Sequence, residues 1–129
     1  MTGGIRRALI LVSHGSRREA SNEEVRRLAQ RLSIHKRNDF DDVSAAFLEL
    51  AEPSIPAGIL AAVERGADEV TVMPYFLSAG RHVTEDIPAE VARAREQCPE
   101  CVIDIAPYIG SAVEMVDLVL HMAQARQDW

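Results

Sequence analysis

The sequence is poor in cysteine and in positive charge, and each shortage excludes a class of protein. Two cysteines in 129 residues cannot form the disulfide framework of a small secreted protein. Lys and Arg number 14 against 20 Asp and Glu, which gives a net charge of −6. The chain therefore lacks the basic face that a general nucleic-acid binder needs, and we expect no nucleic-acid partner.

Long hydrophobic runs are also missing. No apolar stretch approaches the roughly 20 residues needed to cross a bilayer, and residues 1–13 lack the apolar segment and cleavage site of a signal peptide. The composition is that of a globular protein, with 47% hydrophobic and 26% charged residues. We expect one domain over residues 1–129 of a soluble, cytoplasmic protein that has no membrane partner.

Strand-like and helix-like segments alternate along the chain. Apolar, β-branched runs predict strands over residues 8–13, 43–48, 70–77 and 102–108. Helical spacing and helix-start signals predict helices over residues 22–34, 53–66, 86–97 and 111–126. Ser21 and Glu24 have the spacing of a capping box for the first of these helices. The alternation predicts an α/β open sandwich, with a four-stranded parallel sheet flanked by helices on both faces.

Two histidines and a glutamate follow predicted strands. His14 ends the first strand, Glu49 the second and His82 the third. The carboxyl ends of parallel strands meet at one edge of the sheet, where open α/β sheets bind ligands. The topology therefore predicts that these three side chains converge on one cleft.

Two imidazoles beside a carboxylate suit metal handling and proton transfer. Imidazole binds borderline divalent metals and accepts protons near neutral pH. Two His and one Glu are too few for a closed structural zinc site, which uses four ligands, so they favour an open or transient metal site. A single histidine at a strand end is more often structural, but two of them with Glu49 on the ligand edge favour function.

Three motifs resemble those of a known family. LVSHGSR at 11–17, FLELAEPSIPAGI at 47–59 and MPYFLSAGRHVTEDIP at 73–88 look like the sirohydrochlorin chelatases of the small CbiX type, class II tetrapyrrole chelatases that insert a divalent metal into a modified tetrapyrrole. The resemblance implies metal handling and catalysis by His14 and His82, with Glu49 as a third, acidic group that acts as ligand, proton relay or structural residue. It also implies a chelatase-like α/β sandwich.

The resemblance implies that the metal is a substrate of the protein and not a permanent cofactor. It favours Co²⁺, with Fe²⁺ and Ni²⁺ as alternatives, in the cobalamin or sirohaem type of tetrapyrrole biosynthesis. Longer relatives carry two such domains, so the resemblance implies that this chain forms a homodimer.

An acidic tetrapyrrole substrate needs cationic and hydrogen-bonding partners near the histidines. Arg17, Arg18 and Arg81 offer charge, although a solvated surface role is equally expected for the first two. Ser16, Ser78 and the backbone at Gly80 offer hydrogen bonds.

Two alternative functions remain open. A metallochaperone or tetrapyrrole-binding module would use the same residues without catalysis. A histidine phosphatase also carries His-Gly after its first strand, but it needs Arg before that His, and this chain has Ser13.

Several other residues are expected to have structural roles. Cys98 and Cys101 are predicted to be small apolar residues without redox or metal function. His35 and His121 are expected to be structural or solvated, and core packing is predicted for Met73, Met115 and Met122.

Overall fold

Strands and helices alternate as the sequence predicts. The computed structural model describes residues 4–125. The strands are β1 (Arg7–Ser13), β2 (Asp42–Phe47), β3 (Glu69–Pro74) and β4 (Val102–Ile105). The helices are α1 (Glu19–Ser33), α2 (Ile55–Glu64), α3 (Ile87–Gln97) and α4 (Glu114–Gln124), with a π-helical turn at His82–Asp86 and a 3₁₀ turn at Ile109–Ser111.

The four strands form one parallel sheet in the order β2-β1-β3-β4. Successive residues of a strand point to opposite faces, so Ile10 and Val12 pack on one side while Leu11 packs on the other. Helices α2 and α3 cover the first side, and α1 covers the second over β1 and β2. This arrangement confirms the open α/β sandwich.

In helix α2, local sequence signals fix where the helix begins and ends, and its apolar side chains are buried in the core. The Ser54 hydroxyl accepts a hydrogen bond from the Ala57 N–H (3.2 Å) and so caps the amino end. Pro56 lies in the first turn, where a missing N–H costs nothing. Gly66 follows the helix with a φ of +108°, a left-handed conformation that favours glycine at helix ends. Ile59 of this helix is fully buried against the sheet.

Some predicted boundaries are wrong. Helix α1 begins at Glu19, so Ser21 lies inside its first turn and forms no capping box; Arg18 is the N-cap residue. Strand β3 ends at Pro74 and not at residue 77, although the Tyr75 N–H still donates to the Val12 carbonyl of β1 (2.8 Å). Strand β4 is also shorter than predicted. The predicted last helix residue, Arg126, lies outside the described residues.

Cys98 and Cys101 form a disulfide across the turn between α3 and β4. They are therefore not the free thiols that the sequence predicts, because the turn brings their Cα atoms to 5.5 Å, within the usual range for such a bond. Within residues 4–125, no helix has the length and apolar character to cross a membrane.

Candidate active site at the carboxyl edge of the sheet

The β1–β2 ladder continues past both strands and places His14 beside Glu49. The Leu48 N–H donates to the Ser13 carbonyl (3.0 Å), and the Glu49 N–H donates to the His14 carbonyl (3.1 Å). Across this extension, Nε2 of His14 lies 3.2 Å from Oε2 of Glu49. The backbone therefore sets this pair, which are separated by 35 residues in sequence.

Two special backbone conformations hold these loops against each other. Gly15 has a φ of +96°, and a Cβ atom at this position would collide with the Glu49 carbonyl. Only glycine fits this close approach without strain. Leu50, next to Glu49, also has a left-handed φ of +67°, which is costly for a residue with a side chain and is typical of functional segments.

His82 reaches the same place from β3. It begins the π-helical turn His82–Asp86, and not the irregular loop that the sequence predicts, and the turn leads directly into α3. Pairs spaced four residues apart, Arg81 with Glu85 and His82 with Asp86, stabilise the turn. The His82 ring meets the His14 ring edge to face, with centroids 4.6 Å apart. The structure thus brings His14, Glu49 and His82 together.

The ring nitrogens of the two histidines have different partners. Nδ1 of His14 lies 3.0 Å from the Gly15 carbonyl and Nε2 faces Glu49, so both nitrogens face oxygens that only accept. A neutral imidazole has one N–H to donate, so it can satisfy only one of these two oxygens. Nδ1 of His82 lies 2.8 Å from Oδ2 of Asp86. Donation from Nδ1 to this carboxylate leaves the Nε2 lone pair of His82 free to bind.

An open pocket with a volume of about 320 Å³ lies beside His82 and Glu49. Its other lining residues are Leu48, Asp86, Ala89, Glu90 and Arg93. This volume is at the lower end of the roughly 300–1,000 Å³ of small-molecule sites. Among residues 4–125, no three His, Cys, Asp or Glu side chains are arranged to hold one metal ion together. The site therefore offers a pair of imidazoles and not a complete set of ligands.

None of the five residues predicted to bind substrate lines this pocket. Ser16 and Arg17 follow His14, whereas Ser78, Gly80 and Arg81 precede His82, and all but Ser16 are exposed. Arg81 is occupied by an ion pair with Glu85 (3.5 Å). Gly80 has no left-handed φ, and a Cβ atom there would meet open space, so the backbone itself does not require glycine at this position.

Asn22 holds the loop that follows His14. Its buried side chain accepts from the Ser16 N–H (2.9 Å) and donates to the Ser16 carbonyl (2.8 Å). The same amide donates to Glu19, and together with Arg26 it holds the pKa of the Glu19 carboxyl below its usual value. These hydrogen bonds connect the backbone of Ser16 to α1, so Ser16 has a structural role in the loop that follows His14.

Sequence reasoning missed Asp86, Arg93 and Asn22. The spacing of four between His82 and Asp86 is a signal that could have found Asp86, once the segment was read as helical. Arg93 lies two turns further along α3 and forms an ion pair with Glu90 (3.4 Å). No local pattern marks Asn22, because its role depends on the fold of the preceding loop.

The fold and this edge site define an open α/β protein with a histidine pair at the carboxyl ends of its strands. The CbiX family model matches residues 8–125, and the chain belongs to this family.

Three similar proteins agree with this assignment. A sirohydrochlorin cobaltochelatase of Methanocaldococcus jannaschii is 43% identical over 63% of this chain and 55% of its own length. One of Sulfolobus acidocaldarius is 35% identical over 90% of this chain and 89% of its own. The cobalt complex of the sirohydrochlorin chelatase SirB from Bacillus subtilis subspecies spizizenii superimposes with a TM-score of 0.81 and 32% identity, over 93% of this chain and 50% of that one.

The chain spans about half the length of several curated relatives that it matches. It covers 55% of the Methanocaldococcus protein and 44% of a Bacillus subtilis sirohydrochlorin ferrochelatase. The family thus includes proteins that are named for cobalt and others that are named for iron.

Proposed function

We propose that this protein inserts a divalent metal ion into sirohydrochlorin, with Co²⁺ as the favoured metal and Fe²⁺ or Ni²⁺ as alternatives. The observation that carries the proposal is the meeting of His14 and His82 at the sheet edge, with ring centroids 4.6 Å apart and each imidazole beside its own carboxylate. Membership of the CbiX family supports the substrate class.

The two histidines have different roles in this proposal. His82, with Nδ1 directed at Asp86, presents Nε2 to the incoming metal. Two imidazoles without a complete set of ligands hold the ion weakly, so that it can pass to the macrocycle, whereas four ligands would retain it.

Insertion also requires the removal of two protons from pyrrole nitrogens of the macrocycle. His14 and Glu49 form a partly exposed pair that can take up one proton and release it to solvent before it takes up the second, because Nε2 and the carboxylate are within 3.2 Å of each other. The carboxylate stabilises the imidazolium that results. His14 and Glu49 are therefore the proposed proton acceptors. His14 is also the second proposed metal ligand, and it accepts a proton only after the metal has left it, because Nε2 cannot bind both at once.

The acidic side chains of sirohydrochlorin need donors around the pocket. Arg17 and Arg81, with Ser16, Ser78 and the backbone of Gly80, border the two histidine loops and are the proposed substrate contacts. Arg93 joins them, since it lines the pocket itself. In the structure Arg93 pairs with Glu90 at 3.4 Å.

A homodimer belongs to the proposal. The pocket of one chain is open and about 320 Å³ in volume, which encloses only part of a macrocycle larger than most drug-sized ligands. A second copy would close the cleft. The cytoplasmic location that we expect from the sequence stays a prediction, and cell fractionation tests it.

The test is an insertion assay with metal-free sirohydrochlorin. Wild-type protein is mixed with the tetrapyrrole and Co²⁺, and the absorbance change is followed; anaerobic Fe²⁺ and Ni²⁺ are run in parallel. We expect the fastest catalysed rate with Co²⁺ and loss of catalysis in the His14→Ala, His82→Ala double variant, whereas His35→Ala stays active. Metal binding in a titration without any catalysed insertion would contradict the chelatase and favour a metallochaperone.

A further inference from the structure

Two loops carry the His14–Glu49 pair of the active site, and helix α1 packs beside the strands that lead into both. The loop after β1 carries His14, and the loop after β2 carries Glu49. The 3.2 Å between Nε2 of His14 and Oε2 of Glu49 therefore depends on how the two loops are held relative to each other. Both side chains are partly exposed, so burial in the core does not fix them.

Asn22 of α1 holds the first of these loops by its backbone. Its amide accepts from the Ser16 N–H (2.9 Å) and donates to the Ser16 carbonyl (2.8 Å). The second N–H of the same amide donates to Oε1 of Glu19 (3.0 Å). Among residues 4–125, Asn22 is the one polar residue that is buried, and the oxygen and both N–H groups of its amide are used, as burial of a polar group requires.

Arg26, one turn further along α1, holds the second loop on both sides of Glu49. Its guanidinium lies over the ring of the buried Phe47, 5.2 Å from the ring centroid. Its Nη2 donates to the Glu52 carbonyl (3.0 Å). Phe47 precedes Glu49 in the chain and Glu52 follows it. One side chain thus contacts the segment before Glu49 and the segment after it.

Glu19 connects Asn22 to Arg26. One of its carboxylate oxygens, Oε1, accepts from Asn22, and the other, Oε2, accepts from Nη1 of Arg26 (2.9 Å). Glu23 accepts from the same Nη1 (2.6 Å). Glu19, Asn22 and Arg26, which we call the α1 network, therefore form one connected set of hydrogen bonds from the loop after β1 to the loop after β2.

Two features distinguish the α1 network from an ordinary ion pair on a helix surface. Arg26 donates to two carboxylates and one backbone carbonyl at once, which the planar fork of arginine can do and the single ammonium group of lysine cannot. The carbonyl that it reaches is also 26 residues away in sequence, in the loop of Glu49 and not on α1. The network thus joins separate parts of the active site.

We propose that Arg26 is a positioning residue of the metal site and that, through the α1 network, it keeps the Glu49 carboxylate beside His14. This role rests on the proposed function, because it concerns how the same site binds its metal. A carboxylate held next to an imidazole adds negative charge where the cation binds, and so strengthens the binding of that cation. Arg26 acts through Glu49 and does not contact the metal.

The direction of the effect separates positioning from simple electrostatics. If only charge mattered, removal of the positive charge of Arg26 would strengthen Co²⁺ binding, because like charges repel. Loss of positioning has the opposite effect, since Glu49 moves away from His14 and the site loses its negative charge. A residue that contributes only to stability changes neither, as long as the variant is folded.

The first test is a calorimetric titration of Arg26→Lys and Arg26→Met with Co²⁺ alone. Arg26→Lys keeps the charge and loses the fork, whereas Arg26→Met loses both. We expect both variants to bind Co²⁺ about 10–100-fold more weakly than the wild type, the usual cost of losing a group that orients a metal site. Wild-type affinity in Arg26→Lys, or stronger binding by Arg26→Met, would overturn the proposal.

Arg65→Lys is the matched control for this titration. It changes a similar arginine contact, with Asp42 at 2.7 Å, at the amino end of β2 and so at the opposite edge of the sheet. We expect Arg65→Lys to bind Co²⁺ with the wild-type affinity. Circular dichroism should show that all these variants are folded.

The second test asks whether Arg26 acts through Glu49. Glu49→Ala and the Arg26→Lys, Glu49→Ala double variant are titrated with Co²⁺ in the same way. We expect Arg26→Lys to change the affinity by less than about twofold once the Glu49 carboxylate is absent, because the effects of residues in one network are not additive. An equal loss with and without Glu49 would show that Arg26 acts by another route, and would refute the proposal.

The titrations and the insertion assay can fail separately. A wild type that inserts Co²⁺ but whose Co²⁺ affinity is unchanged by Arg26→Lys keeps the proposed function and overturns the positioning role. A wild type that binds Co²⁺ without catalysed insertion, and that loses affinity in Arg26→Lys, contradicts the proposed function and supports the positioning role. A wild type that binds no Co²⁺ overturns both.

Discussion

His14 and His82 contact each other but differ in what holds their rings. His82 is oriented by the Asp86 carboxylate one helical turn away, through a contact of 2.8 Å. His14 lies between the Gly15 carbonyl and the Glu49 carboxylate. Oriented histidines of this kind bind metals more strongly than freely rotating ones, since the second ring nitrogen fixes the tautomer.

Replacing His82 with Ala should abolish most of the insertion activity. As a proton acceptor or metal-binding group, its loss is expected to lower the rate by about 10²–10⁴-fold, the usual contribution of such a group. Co²⁺ titration should show weaker metal binding, with sirohydrochlorin binding largely kept. His35→Ala, in an exposed turn, is the matched control. Near-normal insertion by His82→Ala would exclude the proposed role.

Asp86→Ala should weaken the site without removing a group that contacts the metal. Loss of a residue that orients a metal-binding histidine typically costs about 10–100-fold in affinity or activity. We expect this loss in Co²⁺ affinity, and partial rescue by Asp86→Asn, whose amide oxygen still accepts from Nδ1 of His82. Glu85→Ala, which removes only an exposed ion pair with Arg81, should bind Co²⁺ normally. Equal Co²⁺ affinities for all three variants would contradict a positioning role of Asp86.

At the level of elements, the site depends on how loops continue the sheet. The β1–β2 ladder extends through Leu48 and Glu49, so the loop after β2 is held as firmly as the strand before it. Gly15 allows this contact, because its backbone has a left-handed φ and lies against the Glu49 carbonyl. The buried Asn22 amide then links the same loop to α1.

Gly15→Ala should lower both stability and activity. The added Cβ atom would push the Glu49 backbone away and force an alanine into a left-handed conformation, which we expect to cost more than about 1 kcal/mol in the free energy of unfolding. Denaturant unfolding measures this change. Gly80→Ala is the control for stability, since nothing lies within 4 Å of a Cβ atom at that position. An unchanged unfolding midpoint for Gly15→Ala would show that the loop accommodates a side chain there.

For the whole molecule, the distribution of apolar surface favours association of the chain over a compact monomer. Helices α2 and α3 cover one face of the sheet completely, whereas the other face has only α1. The helix that could complete it, α4, is exposed. Stability of the folded chain should therefore depend on association.

Thermal unfolding of the wild type should depend on protein concentration. If folding and association are linked, the midpoint temperature rises as the chain is concentrated, because binding stabilises only the folded state. We expect no such rise for the Val116→Glu, Leu120→Glu variant, in which charge replaces two exposed apolar side chains of α4. Differential scanning calorimetry over a hundredfold range of concentration measures this. A constant wild-type midpoint across that range would contradict a dimer that contributes to stability.

Much of the fold was predictable because its signals are local. The buried strand at 8–13 and the proline in the first turn of α2 are visible in short windows of sequence, and the structure confirms the parallel α/β alternation. The predicted ends of helices and strands were wrong where tertiary contacts compete with local sequence signals. Ser21, for example, has capping-box spacing, but α1 begins two residues earlier, at Glu19, and Arg18 is its N-cap residue.

By itself, the sequence determined the parallel sheet and the placement of His14, Glu49 and His82 at its carboxyl edge, because strand period and chain order already imply these features. The tertiary structure decided which distant groups contact each other: Glu49 with His14, His82 with His14, and Arg93 in the pocket. It also decided that α4 is uncovered, although its sequence is that of a buried helix. The physical reason is that hydrogen bonds and burial depend on distances between residues far apart in sequence, which no local pattern encodes.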